Sequence, residues 1–182
     1  MDGNRDNWVA FGNTTLYAQP PGDVGEGDSA GGPYPERCAR GAWPTLVIEA
    51  GVSRSLAGLR QKMWWWFAVS DHDVKIVLLA KFDRAHRTIT LEMWEEEPRA
   101  TRPGATTTRH AAAGQPVMRQ SITITRDLTA DPAAYIVTGG ALVLRFGLLF
   151  LRDPGPTEGD VVLAVEELEE YAARVWSWVV GT

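Results

Sequence analysis

The sequence predicts one α/β domain built on a mixed β-sheet flanked by helices. Three observations carry that expectation. Two short apolar runs, Thr45–Glu49 (TLVIE) and Val74–Ala80 (VKIVLLA), enclose a segment with helical apolar spacing, the order expected of a parallel strand pair joined by a crossover helix. Downstream, Thr88–Trp94 (TITLEMW) and Val117–Thr125 (VMRQSITIT) alternate as half-buried strands do. The last stretch, Glu166–Trp178, is amphipathic at helical period.

From the N-terminal end, Trp8–Tyr17 (WVAFGNTTLY) reads as one short strand or hairpin arm. The tract from Pro20 to Gly41 is dense in Gly and Pro and reads as a mobile loop, with room for a short strand crossing near Asp28–Ala30. The Thr45–Glu49 strand ends at Gly51, and Ser53 or Ser55 can cap a helix over Leu56–Val69. Leu56, Leu59, Met63 and Phe67 give that helix one apolar face, while Trp64, Trp65 and Trp66 wrap beyond it and predict cover on two sides.

The Val74–Ala80 run is too continuous for a half-exposed strand and predicts burial on both faces. Arg99–Gly114 reads as a second mobile, polar excursion, and Leu142–Leu151 as another strand. In the terminal helix the expected buried side is Leu168, Tyr171, Ala172, Val175 and Trp178. Its acidic start and Arg174 suit the helix dipole.

Composition bounds the function. A length of 182 residues, 45% of them hydrophobic and eight of them Trp, fits one domain (1–182) with a real core. A net charge of -5 weighs against a non-specific nucleic-acid binder, yet leaves room for a nucleic-acid enzyme whose metal-binding carboxylates lower its charge. Cys38 is the only cysteine and cannot form an intrachain disulfide; it reads as a surface thiol. The opening MDGNRDNWVAF has no cationic-then-apolar signal pattern and no stretch has membrane-spanning length, so no membrane association is expected. An intracellular location, cytoplasmic or nuclear, follows.

Glu49 stands out among the candidate site residues. It closes an apolar strand, where a carboxylate is costly without a partner. In open α/β sheets ligands lie beyond the carboxyl ends of the strands. Asp28, in the Gly-rich GDS segment, is the natural second carboxylate, because two carboxylates on neighbouring elements can share a hard cation such as magnesium. The plainer alternative makes Asp28 a turn residue and Glu49 an acceptor for a backbone amide or an Arg. His72, His86 and His110 have no mutual ligand spacing and predict no zinc site. Lys75 opens its strand at the end opposite Glu49 and reads as structural. Glu95, Glu96 and Glu97 read as a solvated charge run. Trp64–Trp66 could stack bases, but core packing or a homodimer surface is the stronger expectation for rings spread around a helix.

Several segments together carry a resemblance: WPTLVIEAGVSRSL, LRQKMWWWF, DVKIVLLAKF, ITLEMWE, RQSITIT and LLFLRDPGPTEGDVVLAVEELEEYAARVW. They resemble a large group of uncharacterised fungal proteins, which in turn resembles the PD-(D/E)XK restriction-endonuclease-like superfamily. The strand segment is also similar to cyanobacterial restriction-endonuclease-like proteins with a P-x-L-V-V-E strand. The resemblance implies a restriction-endonuclease-like mixed sheet and a magnesium-dependent nuclease acting on nucleic acid. It implies Asp28 and Glu49 as metal ligands. The superfamily's Lys two residues after the second acid is Gly51 here. In some members that cation comes from the following helix, which assigns the catalytic role to Lys62 or Arg60. The fungal group more often has an acid where Lys62 stands. Superfamily cores also begin with a helix, where this chain opens on a strand-like segment. These departures leave an alternative: a degenerate, non-enzymatic interaction module on the same fold.

Overall fold

The computed structural model describes residues 7–11, 16–17, 24–98, 114–130 and 134–180. Its elements in chain order are β1 (Trp8–Ala10), β2 (Leu16–Tyr17), β3 (Val24–Gly25), β4 (Ser29–Pro33), β5 (Leu46–Gly51), α1 (Leu56–Val69), β6 (Ile76–Asp83) and β7 (Thr88–Pro98). After them come β8 (Gly114–Asp127), β9 (Ala134–Thr138), β10 (Leu142–Leu144), α2 (Phe146–Phe150), β11 (Val161–Leu163) and α3 (Val165–Val180).

Seven strands form one mixed sheet in the order β1-β4-β5-β6-β7-β8-β9. β5 and β6 are parallel neighbours, with Leu46 opposite Ile76 and Glu49 opposite Leu79, and α1 is the crossover between them as the sequence predicts. The other pairings in this sheet are antiparallel. Ser55 is the N-cap of α1; its side chain accepts from the Gly58 N–H at 3.1 Å.

The sheet has a core on each face. On one face Val47, Val77 and Leu79 pack against Leu59, Met63, Trp66 and Phe67 of α1. On the other, Ile76, Leu78, Ile89, Leu91, Ile122 and Ile124 pack against α2 and α3. Residues Ile76 to Ala80 are all buried, because β6 is covered from both sides. The result is a three-layer α/β arrangement.

Four expectations change. The Leu142–Leu151 run is not one strand: it divides into β10 and the short helix α2. Phe146, Leu149 and Phe150 fall at helical spacing inside the apolar run, and the Asp160 carboxylate accepts from the Phe146 N–H at 2.8 Å, holding the first turn. The buried side of α3 is Leu168, Ala172 and Trp176, a strict four-residue line. Tyr171 and Trp178 face outward, Trp178 at 82% exposure.

In α1, Ala57, Arg60, Gln61, Trp64 and Ala68 form an exposed stripe, so the helix is covered on one side and not two. Trp66 is 0% exposed whereas Trp64 is 54% exposed. Trp8–Tyr17 holds two strands with separate partners, β1 on β4 and β2 on β3. From the tract Pro20–Gly41, residues 24–41 are described and carry β3 and β4; the Arg99–Gly114 excursion, Gly114 apart, lies outside the described residues.

Candidate functional site

The site is built around the carboxyl end of β5. Glycines bring the preceding loop onto α1. A Cβ added at Gly25 would fall 2.0 Å from the Trp65 ring, and one at Gly27 would fall 3.1 Å from Val47. Without those side chains the backbone lies flat on the Trp65–Trp66 pair, whose rings meet edge to face at 4.9 Å. That path delivers Asp28 to the start of β4. Ser29 pairs with Ile48, so Asp28 is the next position in line, opposite Glu49.

Glu49 is 0% exposed. Its burial is compensated from α1 alone. Lys62 and Trp66, one turn apart, point at the same carboxylate. Lys62 Nζ donates to Glu49 Oε2 at 2.8 Å and to Oε1 at 3.0 Å, and Trp66 Nε1 donates to Oε1 at 2.7 Å. Lys62 Nζ also donates to the Glu26 carbonyl at 3.2 Å, tying the glycine loop to the helix. Asp28 is exposed, and its Oδ2 accepts from the Ala50 N–H at 2.7 Å. Glu49 and Lys62 therefore meet directly, whereas Asp28 is anchored on the backbone of Ala50, the residue that follows Glu49.

Arg60 does not join them. Its guanidinium grips the buried Glu92 carboxylate as a fork, Nε to Oε2 at 2.9 Å and Nη2 to Oε1 at 2.5 Å. The same pairing raises the Arg60 pKa further above its ordinary value. Trp94 Nε1 adds a hydrogen bond to Glu92 Oε2 at 3.1 Å. Because Glu49 and Glu92 both pair with Leu79 across the sheet, Arg60 and Lys62 fasten α1 to strands on either side of β6.

The acidic run after β7 begins is not simply solvated. Glu95 is 1% exposed and accepts from Arg119 Nε at 3.1 Å and Arg145 Nε at 3.1 Å. Glu96 meets His72 Nδ1 at 2.7 Å, and Glu97 meets Arg119 Nη2 at 2.5 Å. Glu95 and Glu97 are held in ion pairs because β8 brings Arg119, and the residue after β10 is Arg145, both from far along the chain. Glu95, Arg119 and Arg145 also line a cavity of about 430 Å³ with Met93, Gln120 and Asp160, on the α2–α3 side of the sheet. A second cavity, about 330 Å³, lies beside His72, Lys75 and Glu96. Neither reaches Glu49. Lys75 Nζ donates to the His72 carbonyl at 2.6 Å, a structural use.

Sequence reasoning missed Glu92, Arg119 and Arg145. Glu92 has a weak signal, an acid placed between apolar residues in TITLEMW. The arginines have none, since their partners are 24 and 50 residues away.

The donors at β5 fit a hard cation by chemistry: both are carboxylates, the ligands magnesium prefers. Among the described residues no group of three or more His, Cys, Asp and Glu converges to hold a metal. The carboxylates that would hold such an ion at this strand end are Asp28 and Glu49. The chain matches no protein-family model and no curated protein. Among the described residues no helix is long and apolar enough to cross a membrane.

Proposed function

We propose that the chain is a restriction-endonuclease-like, magnesium-dependent nuclease whose working residues are Asp28, Glu49 and Lys62. One observation carries the reading: Asp28, just before β4, lies in register with Glu49 on β5, and an ammonium reaches that buried acid at 2.8 Å. That grouping resembles the superfamily's pair of acids with a cation supplied from the following helix. Asp28 and Glu49 would hold the ion, which would supply polarisation of a phosphate oxygen and a more acidic water. Lys62, which donates to both Glu49 oxygens, would hold that carboxylate in place at the site. Arg60 has the lesser part, since Glu92 occupies its guanidinium. The substrate class is nucleic acid, and the free, exposed Cys38 suits the reducing interior of the cytoplasm or nucleus.

A second reading, an interaction module on the same fold, draws on a different observation. Both Glu49 oxygens already have donors, and the α1 stripe around Trp64 is open to a partner or to a second copy of the chain. Trp64 on α1 and Trp178 on α3 lie on opposite layers and make no common patch. The discriminating experiment is cleavage of single- and double-stranded DNA and RNA by the purified chain in magnesium or manganese. Metal-dependent cleavage by the wild type supports the nuclease, and inactivity on every substrate supports the module.

A further inference from the structure

We infer that Lys81 binds a phosphodiester at the carboxyl ends of β5 and β6, in the place of the side chain that Gly51 lacks. The identity of the anion rests on the nuclease reading; the geometry does not require a metal.

The parallel ladder sets Gly51 opposite Lys81 just as it sets Glu49 opposite Leu79. Side chains two apart on a strand share a face, and so do paired residues on neighbouring strands. Lys81 therefore stands on the Glu49 face, one step nearer the strand ends. Position 51 itself carries no side chain. A Cβ there would lie 3.3 Å from Arg54 Cβ and 3.4 Å from both methyls of Leu59. The Leu59 distances are ordinary contact, and only the exposed Arg54 would have to give slightly. The neighbouring strand supplies a cation at the same level, Lys81.

The charge of Lys81 is uncommitted. Its Nζ donates to the Val52 carbonyl at 2.5 Å, and it meets no carboxylate among the described residues. A carbonyl orients an ammonium without neutralising it, and two N–H donors remain. Lys62, on the same face, differs: its charge is met by Glu49. Arg54, exposed beside Gly51, also has no acidic partner among the described residues. Two unneutralised cations thus flank a glycine at the carboxyl ends of a parallel pair, where open α/β sheets take their ligands. An oxyanion fits them, and an ammonium serves phosphate as a point charge.

The test uses the full chain and a fluorescein-labelled oligonucleotide, read by anisotropy across a salt series in calcium and in chelator. Lys81→Gln keeps a donor for the Val52 carbonyl and removes the charge. It should weaken binding by about tenfold or more and lower the salt slope by about one. Lys81→Arg should restore both, and Lys81→Met gives the same test if the Gln variant folds poorly. Terbium luminescence sensitised by Trp66, whose Nε1 is 2.7 Å from Glu49 Oε1, reads the metal separately and should be equal in all variants. Unchanged affinity and slope in Lys81→Gln would overturn the inference. So would a wild type that takes inorganic phosphate through Lys81 but no oligonucleotide. Absent terbium signal with Lys81-dependent binding intact would instead remove the metal from the nuclease reading and leave the Lys81 site standing.

Discussion

Lys62 lies within hydrogen-bonding distance of both oxygens of Glu49, at 2.8 and 3.0 Å, and the carboxylate it meets is wholly buried. Removing the ammonium leaves a buried charge with only the Trp66 N–H for company. Lys62→Met should therefore cost about 3 kcal/mol, near the lower end for breaking a buried pair because Lys62 itself is partly exposed. On the nuclease reading magnesium takes over part of the lost neutralisation. Thermal unfolding with and without magnesium checks this: the ion should raise the Tm of Lys62→Met more than that of the wild type. Equal shifts would separate Lys62 from the metal.

The tryptophan run divides sharply. Trp66 is 0% exposed and packs edge to face with Trp43 and Trp65, while Trp64 is 54% exposed. Trp66→Ala should cost about 4 kcal/mol, combining a cavity with loss of the N–H that meets Glu49. Trp64→Ala should stay within about 0.5 kcal/mol. Denaturant unfolding of the two variants measures the difference, and similar losses in both would contradict the one-sided cover of α1.

An acid-dependent element sits away from the site. Arg152 donates to both oxygens of Glu158, each at 2.6 Å, and the Gly155 N–H adds a third bond at 2.8 Å. The Arg152 hydrogen bond, then that of Gly155, holds the Glu158 carboxyl at about 2, against an ordinary 4.5. The folded value is the lower one. The stabilisation is therefore complete above pH 4.5 and is lost as the pH falls toward 2. Glu158→Gln should flatten the fall in Tm across that window and leave behaviour above it parallel to the wild type. A Tm–pH curve with the wild-type slope in acid would contradict the assignment.

Much of the sheet is legible in the sequence because burial leaves a pattern. The β6 run is apolar at every position from Ile76 to Ala80 since helices cover both its faces, and the parallel pairing with β5 follows from the segment between them. What α2 shows is the limit of such patterns. A short apolar run can be strand or helix, and the Asp160 carboxylate that accepts from the first N–H of α2 lies outside the run. In α3 an amphipathic pattern offers two adjacent lines of apolar residues, and packing against the sheet selects the Trp176 line over the Trp178 line.

The site was half legible. Glu49 is marked by its place at a strand end, and Lys62 by its place on the next helix. The pairing of Arg60 with Glu92 spans 32 residues and leaves no local trace. Nor does the juxtaposition of Gly51 with Lys81, which depends on strand register alone.

The central claim is that Asp28 and Glu49 form a metal-dependent catalytic pair. It is tested most directly by comparing the wild type with Glu49→Gln in a magnesium-dependent cleavage assay on DNA and RNA. Gln preserves the size of the side chain and its acceptor for Trp66 and Lys62, so the fold should persist, as circular dichroism would verify. The account predicts cleavage by the wild type that needs magnesium, and a loss of at least about a hundredfold in Glu49→Gln, the scale expected when charge stabilisation at a reacting centre is removed. A folded Glu49→Gln that cleaves at the wild-type rate, or a wild type inert on every substrate, would contradict it.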